Sequence, residues 1–270
     1  MTLIDPVLLK SRLGSLAGRF DVDALAECDS TNSELMRRAD RGAPSGTVIV
    51  ADRQSAGRGR RGRSWLSSPE GSLTFSLLWR FTGNAARLSG LSLAVGVGLA
   101  RALAKLGAEG VRLKWPNDVL LVQAGDFAKL AGILIELASD RRGTQAIIGI
   151  GLNLAAPAED LPQPAAGLTE AGVVADRHQV LAAILAELAD VHDVFAVQGF
   201  AGLREDWQRF HAWQDLSVQI LGEGAAVQGV CLGVDADGSL LLDTAHGIER
   251  IFSGDVSLRR SVNGPAEGEP

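Results

Sequence analysis

The sequence predicts an α+β protein: a mixed, largely antiparallel sheet packed with helices, followed by a small C-terminal β-barrel. Three observations carry this. Apolar, β-branched runs follow one another on short turns at Val111–Trp115, Val119–Val122, Ala131–Leu137 and Ala146–Leu154, and short connections mean antiparallel pairing. Long helical patterns at Leu88–Leu106 and Asp176–Gln198 flank that series. From Leu216 the period changes to short strands, at Leu216–Leu221, Ala226–Val234, Ser239–Asp243, Ile248–Phe252 and Val256–Leu258.

Taken in order, Phe20–Ala26 reads as a strand. Ser30-Thr31-Asn32-Ser33-Glu34 opens a helix, with Thr31 and Glu34 spaced as a capping box and Gly42 ending it. Thr47–Ala51 is a β-branched strand. Leu73, Phe75, Leu77 and Trp79 alternate with Thr74 and Ser76, which predicts a strand with one buried face. The glycines inside Leu88–Leu106 predict close packing of that helix. Residues 156–172, rich in Pro, Ala and Gly, read as a surface loop, and a shorter helix covers Leu203–His211. Asp237-Gly238 and His246-Gly247 are hairpin turns. The expected units are 1–214, 215–262 and a disordered tail, 263–270.

With 270 residues and 46% hydrophobic content, the chain holds one large domain and a satellite around an ample core. No apolar run is expected to reach membrane-spanning length, because Gly96, Gly98, Arg101 and Lys105 interrupt the richest one. The N-terminus lacks a signal-peptide pattern. Two distant cysteines, Cys28 and Cys231, show no metal spacing and suit a reducing cytoplasm. Four scattered histidines read as structural or exposed. A net charge of −6 argues against bulk nucleic-acid binding.

Against that acidic background stands Gly57-Arg58-Gly59-Arg60-Arg61-Gly62-Arg63-Ser64-Trp65. It packs three glycines, four arginines and one tryptophan into nine residues. Glycines bring backbone N–H groups close to a ligand, guanidinium groups grip phosphate or carboxylate, and tryptophan offers a stacking face. The spacing G-x-G-x-x-G is not a dinucleotide fingerprint here, since Trp65-Leu-Ser-Ser-Pro-Glu-Gly starts no helix. A solvated arginine run remains the plain alternative. Lys114-Trp115-Pro116-Asn117-Asp118 presents an amide and a carboxylate on a proline turn, or simply a capped turn. In Lys129-Leu130-Ala131-Gly132-Ile133-Leu134-Ile135-Glu136, a lysine at the entrance of an apolar strand can neutralise developing charge. Gly149-Ile150-Gly151-Leu152-Asn153 pairs glycines that permit close approach with an amide at a strand end.

In this order the four strings resemble the signatures of bacterial-type biotin–protein ligases, and Ser30-Thr31-Asn32 resembles that family's early biotin contact. The resemblance spans about residues 25 to 259. It implies a class II synthetase-like catalytic domain with an SH3-like C-terminal barrel. It also implies ATP-dependent formation of biotinyl-5′-AMP and transfer of biotin to a lysine of a biotin carboxyl carrier protein or domain. By resemblance, Ser30, Thr31, Asn32, Gln54, Arg58, Gly59, Arg60 and Lys129 hold biotin, with Lys129 and Arg60 catalytic. Arg63, Trp65, Asn117, Asn153 and Arg259 order the nucleotide, and Asp118 lies near Mg²⁺. The winged helix of bifunctional members has no counterpart here, so neither DNA binding nor repressor activity is expected. Gln123–Ala128 departs from the commoner turn. The expected edge near Ile133–Leu137 opens the way to a homodimer, with no membrane partner. The rivals are a lipoate–protein ligase and a non-catalytic phosphate- or nucleic-acid-binding module.

Overall fold

The computed structural model describes residues 2–140, 143–158, 161, 163–222, 226–254 and 257–260. Seven strands form the larger sheet: β1 (Asp21–Cys28), β2 (Thr47–Gln54), β3 (Ser72–Phe81), β4 (Val111–Lys114), β5 (Asp118–Gln123), β6 (Asp126–Asp140) and β7 (Gly143–Asn153). Their order is β1-β2-β3-β7-β6-β5-β4, with β1 and β2 parallel and every other neighbour antiparallel. The parallel pair is joined by α2 (Thr31–Asp40), as a crossover requires.

Helices cover both faces of the sheet. On one side α1 (Pro6–Leu13), α3 (Leu91–Lys105), α4 (Arg177–Gln198) and α5 (Arg204–Phe210) share a continuous core with Val48, Val50, Leu77, Trp79 and Ile148. On the other, Leu35 and Ala39 of α2 pack on Ile49, Leu78 and Ile147. Neighbouring residues of one strand thus enter opposite cores, as a two-residue period demands. Gly98 lets α4 approach α3 closely: a Cβ there would lie 3.1 Å from Leu188 Cδ2. Asp176 caps α4, its side chain accepting from Gln179 N at 2.9 Å.

Several expectations need correction. β3 is buried on both faces from Ser72 to Trp79, because α2 covers the side on which Thr74 and Ser76 were expected to meet solvent. The capping box at Thr31 does not form. Ser30 is the N-cap without a side-chain bond, Glu34 pairs with Arg37 and Arg38, and Thr31 turns to Gln54. The Leu88–Leu106 helix begins later, at Leu91, after a 3₁₀ turn over Ala85–Leu88. By length and composition Ala85–Lys105 is in fact apolar enough to cross a membrane, with 67% of its most apolar window buried inside the protein as a core helix. Residues 156–172 are no plain surface loop: Ala166, Leu168 and Ala171 are buried, and Ala165 bridges to Lys129.

Five further strands, β8 (Ser217–Leu221), β9 (Val227–Val234), β10 (Leu240–Thr244), β11 (Gly247–Ile251) and β12 (Ser257–Arg260), form an antiparallel sheet ordered β11-β10-β9-β8-β12. Among the described residues β11 and β12 share no ladder, so the expected SH3-like barrel is present as a five-stranded antiparallel sheet without a closing ladder among them. Val218, Val234, Leu240 and Leu258 join the core of the larger sheet. Trp115 Nε1 donates to Gly238 O at 3.0 Å and Arg204 Nε to Val234 O at 2.7 Å, which docks the two sheets together. The expected tail, 263–270, lies outside the described residues.

Candidate functional site

The N-terminus of α2 is pressed into the sheet by polar side chains. Gln54 Oε1, at the end of β2, accepts from Thr31 N at 2.8 Å. Ser76 Oγ of β3 lies 2.7 Å from Thr31 Oγ1 and 2.6 Å from Asn32 Oδ1. Asn32 Nδ2 donates to Glu136 Oε2 at 2.8 Å, and the same carboxylate accepts from Arg58 at 2.7 Å. Gly149 makes this approach possible, since a Cβ there would lie 2.3 Å from Asn32 Oδ1. Ser30, Thr31 and Asn32 are all buried, so this is a rigid polar pocket.

The arginine stretch is a small hairpin over that pocket. Arg58 and Ser64 pair as an antiparallel bridge, and Gly59 N donates to Arg63 O at 2.7 Å. At the tip Arg61 (φ 57°) and Gly62 (φ 68°) both take left-handed backbone, as a type I′ turn requires. Arg60 Nη1 donates to Asn117 Oδ1 at 3.1 Å and its Nη2 to Gly254 O, tying the hairpin to both sheets. Trp65 lies flat on the sheet, where a Cβ at Gly151 would meet its ring at 2.2 Å. Its buried Nε1 has no hydrogen-bond partner among the described residues.

Beside the hairpin, adjacent strands deliver Lys114 (β4), Asp118 (β5) and Lys129 (β6) to one face. Lys114 and Asp118 are direct cross-strand partners. Lys129 reaches the same face only through a β-bulge: Val119 pairs with Ala131 but Leu120 with Lys129, leaving Leu130 extra. Leu130 and Ala131 consequently both enter the core, while Lys129 and Gly132 both line the cavity. Lys129 Nζ lies 2.6 Å from Asp118 Oδ1, and Lys114 Nζ 3.6 Å from Asp118 Oδ2. Burial works to raise the Asp118 carboxyl, but the two ammonium charges hold it net below its usual range. Burial pulls Lys114 down to about 8, although Asp118 opposes this. Arg259, from β12, is likewise lowered by burial and by the Arg63 charge.

These residues enclose a cavity of about 130 Å³. Among the described residues its lining holds Arg58, Arg60, Arg61, Arg63, Lys114, Lys129 and Arg259 with one carboxylate, Asp118, while Arg58 also pairs with Glu136 at its edge. Such an excess in a chain of net charge −6 makes a site for polyanions. Of the residues expected from sequence, Ser30, Thr31, Asn32, Gln54, Gly59, Trp65 and Asn117 also line it. Asn153 does not. Its amide is spent inside the fold, Nδ2 donating to Lys129 O at 3.3 Å and Ala166 O at 3.1 Å. Lys114 lines the cavity, and Ser76 and Glu136 hold Asn32, without having been expected at the site. For Ser76 and Glu136 the available signal was a polar side chain inside an apolar-rich strand; Lys114, at the end of Val111–Lys114, offered none.

Residues 25–153 match the biotin/lipoate A/B protein ligase family, and residues 217–259 match the biotin protein ligase C-terminal domain. The bifunctional ligase/repressor BirA of Escherichia coli is 36% identical over 96% of this chain and 81% of its own length. The biotin–[acetyl-CoA-carboxylase] ligase of Paracoccus denitrificans is 34% identical over 86% of this chain and 98% of its own. The structure of Aquifex aeolicus biotin protein ligase in complex with biotin and ATP superposes with a TM-score of 0.75 at 34% identity, covering 89% of this chain and 99% of that one. The chain belongs to the biotin/lipoate A/B protein ligase family and is a ligase. Within that family it is of the biotin–protein ligase type.

Proposed function

We propose that the protein makes biotinyl-5′-AMP from biotin and ATP and transfers biotin to a lysine of a biotin carboxyl carrier domain. In the first step a biotin carboxylate oxygen bonds to the α-phosphorus as the bond to pyrophosphate breaks. In the second, the acceptor amine attacks the biotinyl carbonyl, loses a proton, and AMP leaves. The single observation that carries this reading is the excess of cations in the cavity, seven with one carboxylate among its described lining residues, beside a polar, preorganised pocket. Two anions must meet before either bond forms, and fixed positive charge lowers that repulsion.

In this reading the pocket of Ser30, Thr31, Asn32 and Gln54 receives biotin, with Arg58, Gly59 and Arg60 closing over it. Lys129 bridges the biotin carboxylate and the α-phosphate. Arg63, Trp65, Asn117 and Arg259 hold the nucleotide, and the unpartnered Trp65 N–H is a donor awaiting an acceptor. Asn153 acts through the Lys129 backbone instead of touching ATP. As for Mg²⁺, both Asp118 oxygens face ammonium groups, and among the described residues no group of three or more His, Cys, Asp or Glu is gathered. These residues do not fit a resident metal site, and no step here runs through one. We further propose a cytoplasmic enzyme without operator-binding activity. A homodimer would form along β6 beyond Gly132, where the described ladder continues on the β7 side alone.

Mass spectrometry of the protein with ATP, Mg²⁺ and either biotin or lipoate, followed by an acceptor domain, tests the reading. The expected products are biotinyl-5′-AMP and a singly biotinylated acceptor. Lipoyl-AMP alone, or no adenylate with either acid, refutes it.

A further inference from the structure

Lys129 has two demands on one ammonium group. It rests 2.6 Å from Asp118 Oδ1, yet in the reaction proposed above it has to meet the two substrate anions. Moving there strips a partner from a carboxylate that is only 13% exposed, and an unpaired buried charge is heavily disfavoured. The structure supplies a second cation for this moment. Lys114 Nζ faces the other oxygen, Asp118 Oδ2, at 3.6 Å.

The two lysines are not equivalent. Lys129 is 26% exposed and sits at the cavity wall beside Gly132, where its chain can swing. Lys114 is 5% exposed, and its ammonium lies 4.9 Å from the centre of the Trp213 ring. It is held from behind and cannot follow the substrate. The Arg259 charge also bears on Lys114, and those of Arg61 and Arg63 on Arg259, so among the described lining residues Asp118 is the one carboxylate in a positive cluster. We propose that Lys114 is a positioning residue for adenylation: it keeps Asp118 paired while Lys129 leaves for the substrate anions. It acts through Asp118, and the inference rests on the reaction proposed above.

The test is a double-mutant cycle on the full chain, Lys114→Met, Asp118→Asn and both together, read as single-turnover pyrophosphate release with biotin, ATP and Mg²⁺. Lys114→Met should lower the rate about 100-fold, the scale on which one partner of a buried ion pair matters, while the KM for biotin stays within about threefold. On the Asp118→Asn background the same substitution should change the rate by less than about threefold, because no charge is left to strand. Equal losses on both backgrounds, or a loss confined to the KM for biotin, would overturn the assignment to a positioning role. A wild-type protein that releases no pyrophosphate would instead sink the reaction itself. If Lys114→Met does not fold, Lys114→Gln carries the same cycle.

Discussion

Replacing Lys129 by alanine is the sharpest perturbation of the proposed chemistry. The fold should survive, since the residue is held through its backbone: Lys129 N donates to Pro164 O at 2.7 Å, and its carbonyl accepts from Ala166 N at 2.9 Å. Asp118 keeps Lys114 as a partner at 3.6 Å. What disappears is one positive charge at the meeting point of two anions. At a separation of about 4 Å and an effective dielectric constant near 20, such a charge interacts by about 4 kcal/mol with each anion. Much of that is already present with substrates bound, and the partly exposed side chain is screened further. The remaining differential term matches the loss of one preorganised transition-state donor, about 2.7–4 kcal/mol, or 10²–10³ in rate. Pyrophosphate release from biotin and ATP measures it directly, with biotin affinity by calorimetry as a control. A variant within a few-fold of wild type would remove Lys129 from the mechanism.

Arg60→Gly deletes the bonds to Asn117 and Gly254 and should open the hairpin, so that adenylate escapes and bystander lysines become biotinylated. Labelling confined to the acceptor, with adenylate still formed, would contradict that retention role. Gly149→Ala puts a methyl where Asn32 Oδ1 now lies and should weaken biotin binding at least about tenfold by calorimetry, with the melting temperature far less affected. His211, whose ring lies 4.5 Å from that of Trp207 at a tilt of 35°, is pushed down to about 4 by burial, against 6.5 when unfolded. The unfolded chain therefore binds more protons between those values, so stability present above pH 6.5 is lost as pH falls toward 4. Melts of His211→Gln should lack that slope; an unchanged slope would assign it elsewhere. DNA retention in a mobility shift should be weak and collapse with salt, because the cations are gathered in one cavity of an acidic chain. A shift that persists at physiological salt against excess random DNA would overturn this.

Much of the fold was legible because each strand carries its own period. The alternation of Leu73, Phe75, Leu77 and Trp79 marked β3, and Gly238 and Gly247 marked two turns by needing positive φ. What covers a strand was not legible. Thr74 and Ser76 look like a solvent face until α2 is laid over them, and a short polar side chain suits water or a buried hydroxyl network equally. The site behaved the same way. The arginine hairpin and the paired glycines announced themselves by composition, since few other roles use those residues together. Asn153 misled because an amide at a strand end serves a ligand and a backbone carbonyl alike, and only the fold chooses between them. Lys114 carries no local mark of its burial: the Trp213 ring above it lies 99 residues along the chain (213 − 114).

The bulge at Leu130 gives the cavity face an odd–even dependence on chain length. Counting along β6, Gly132 and Lys129 stand three apart, an odd interval that in a regular ladder would send them to opposite faces. One surplus residue restores agreement. Deleting Leu130 would therefore leave a regular ladder in which the lysine stands two steps from Gly132 and still faces Asp118, whereas losing two neighbouring residues would turn it into the core. Length changes in this segment should be tolerated or fatal by parity rather than by size.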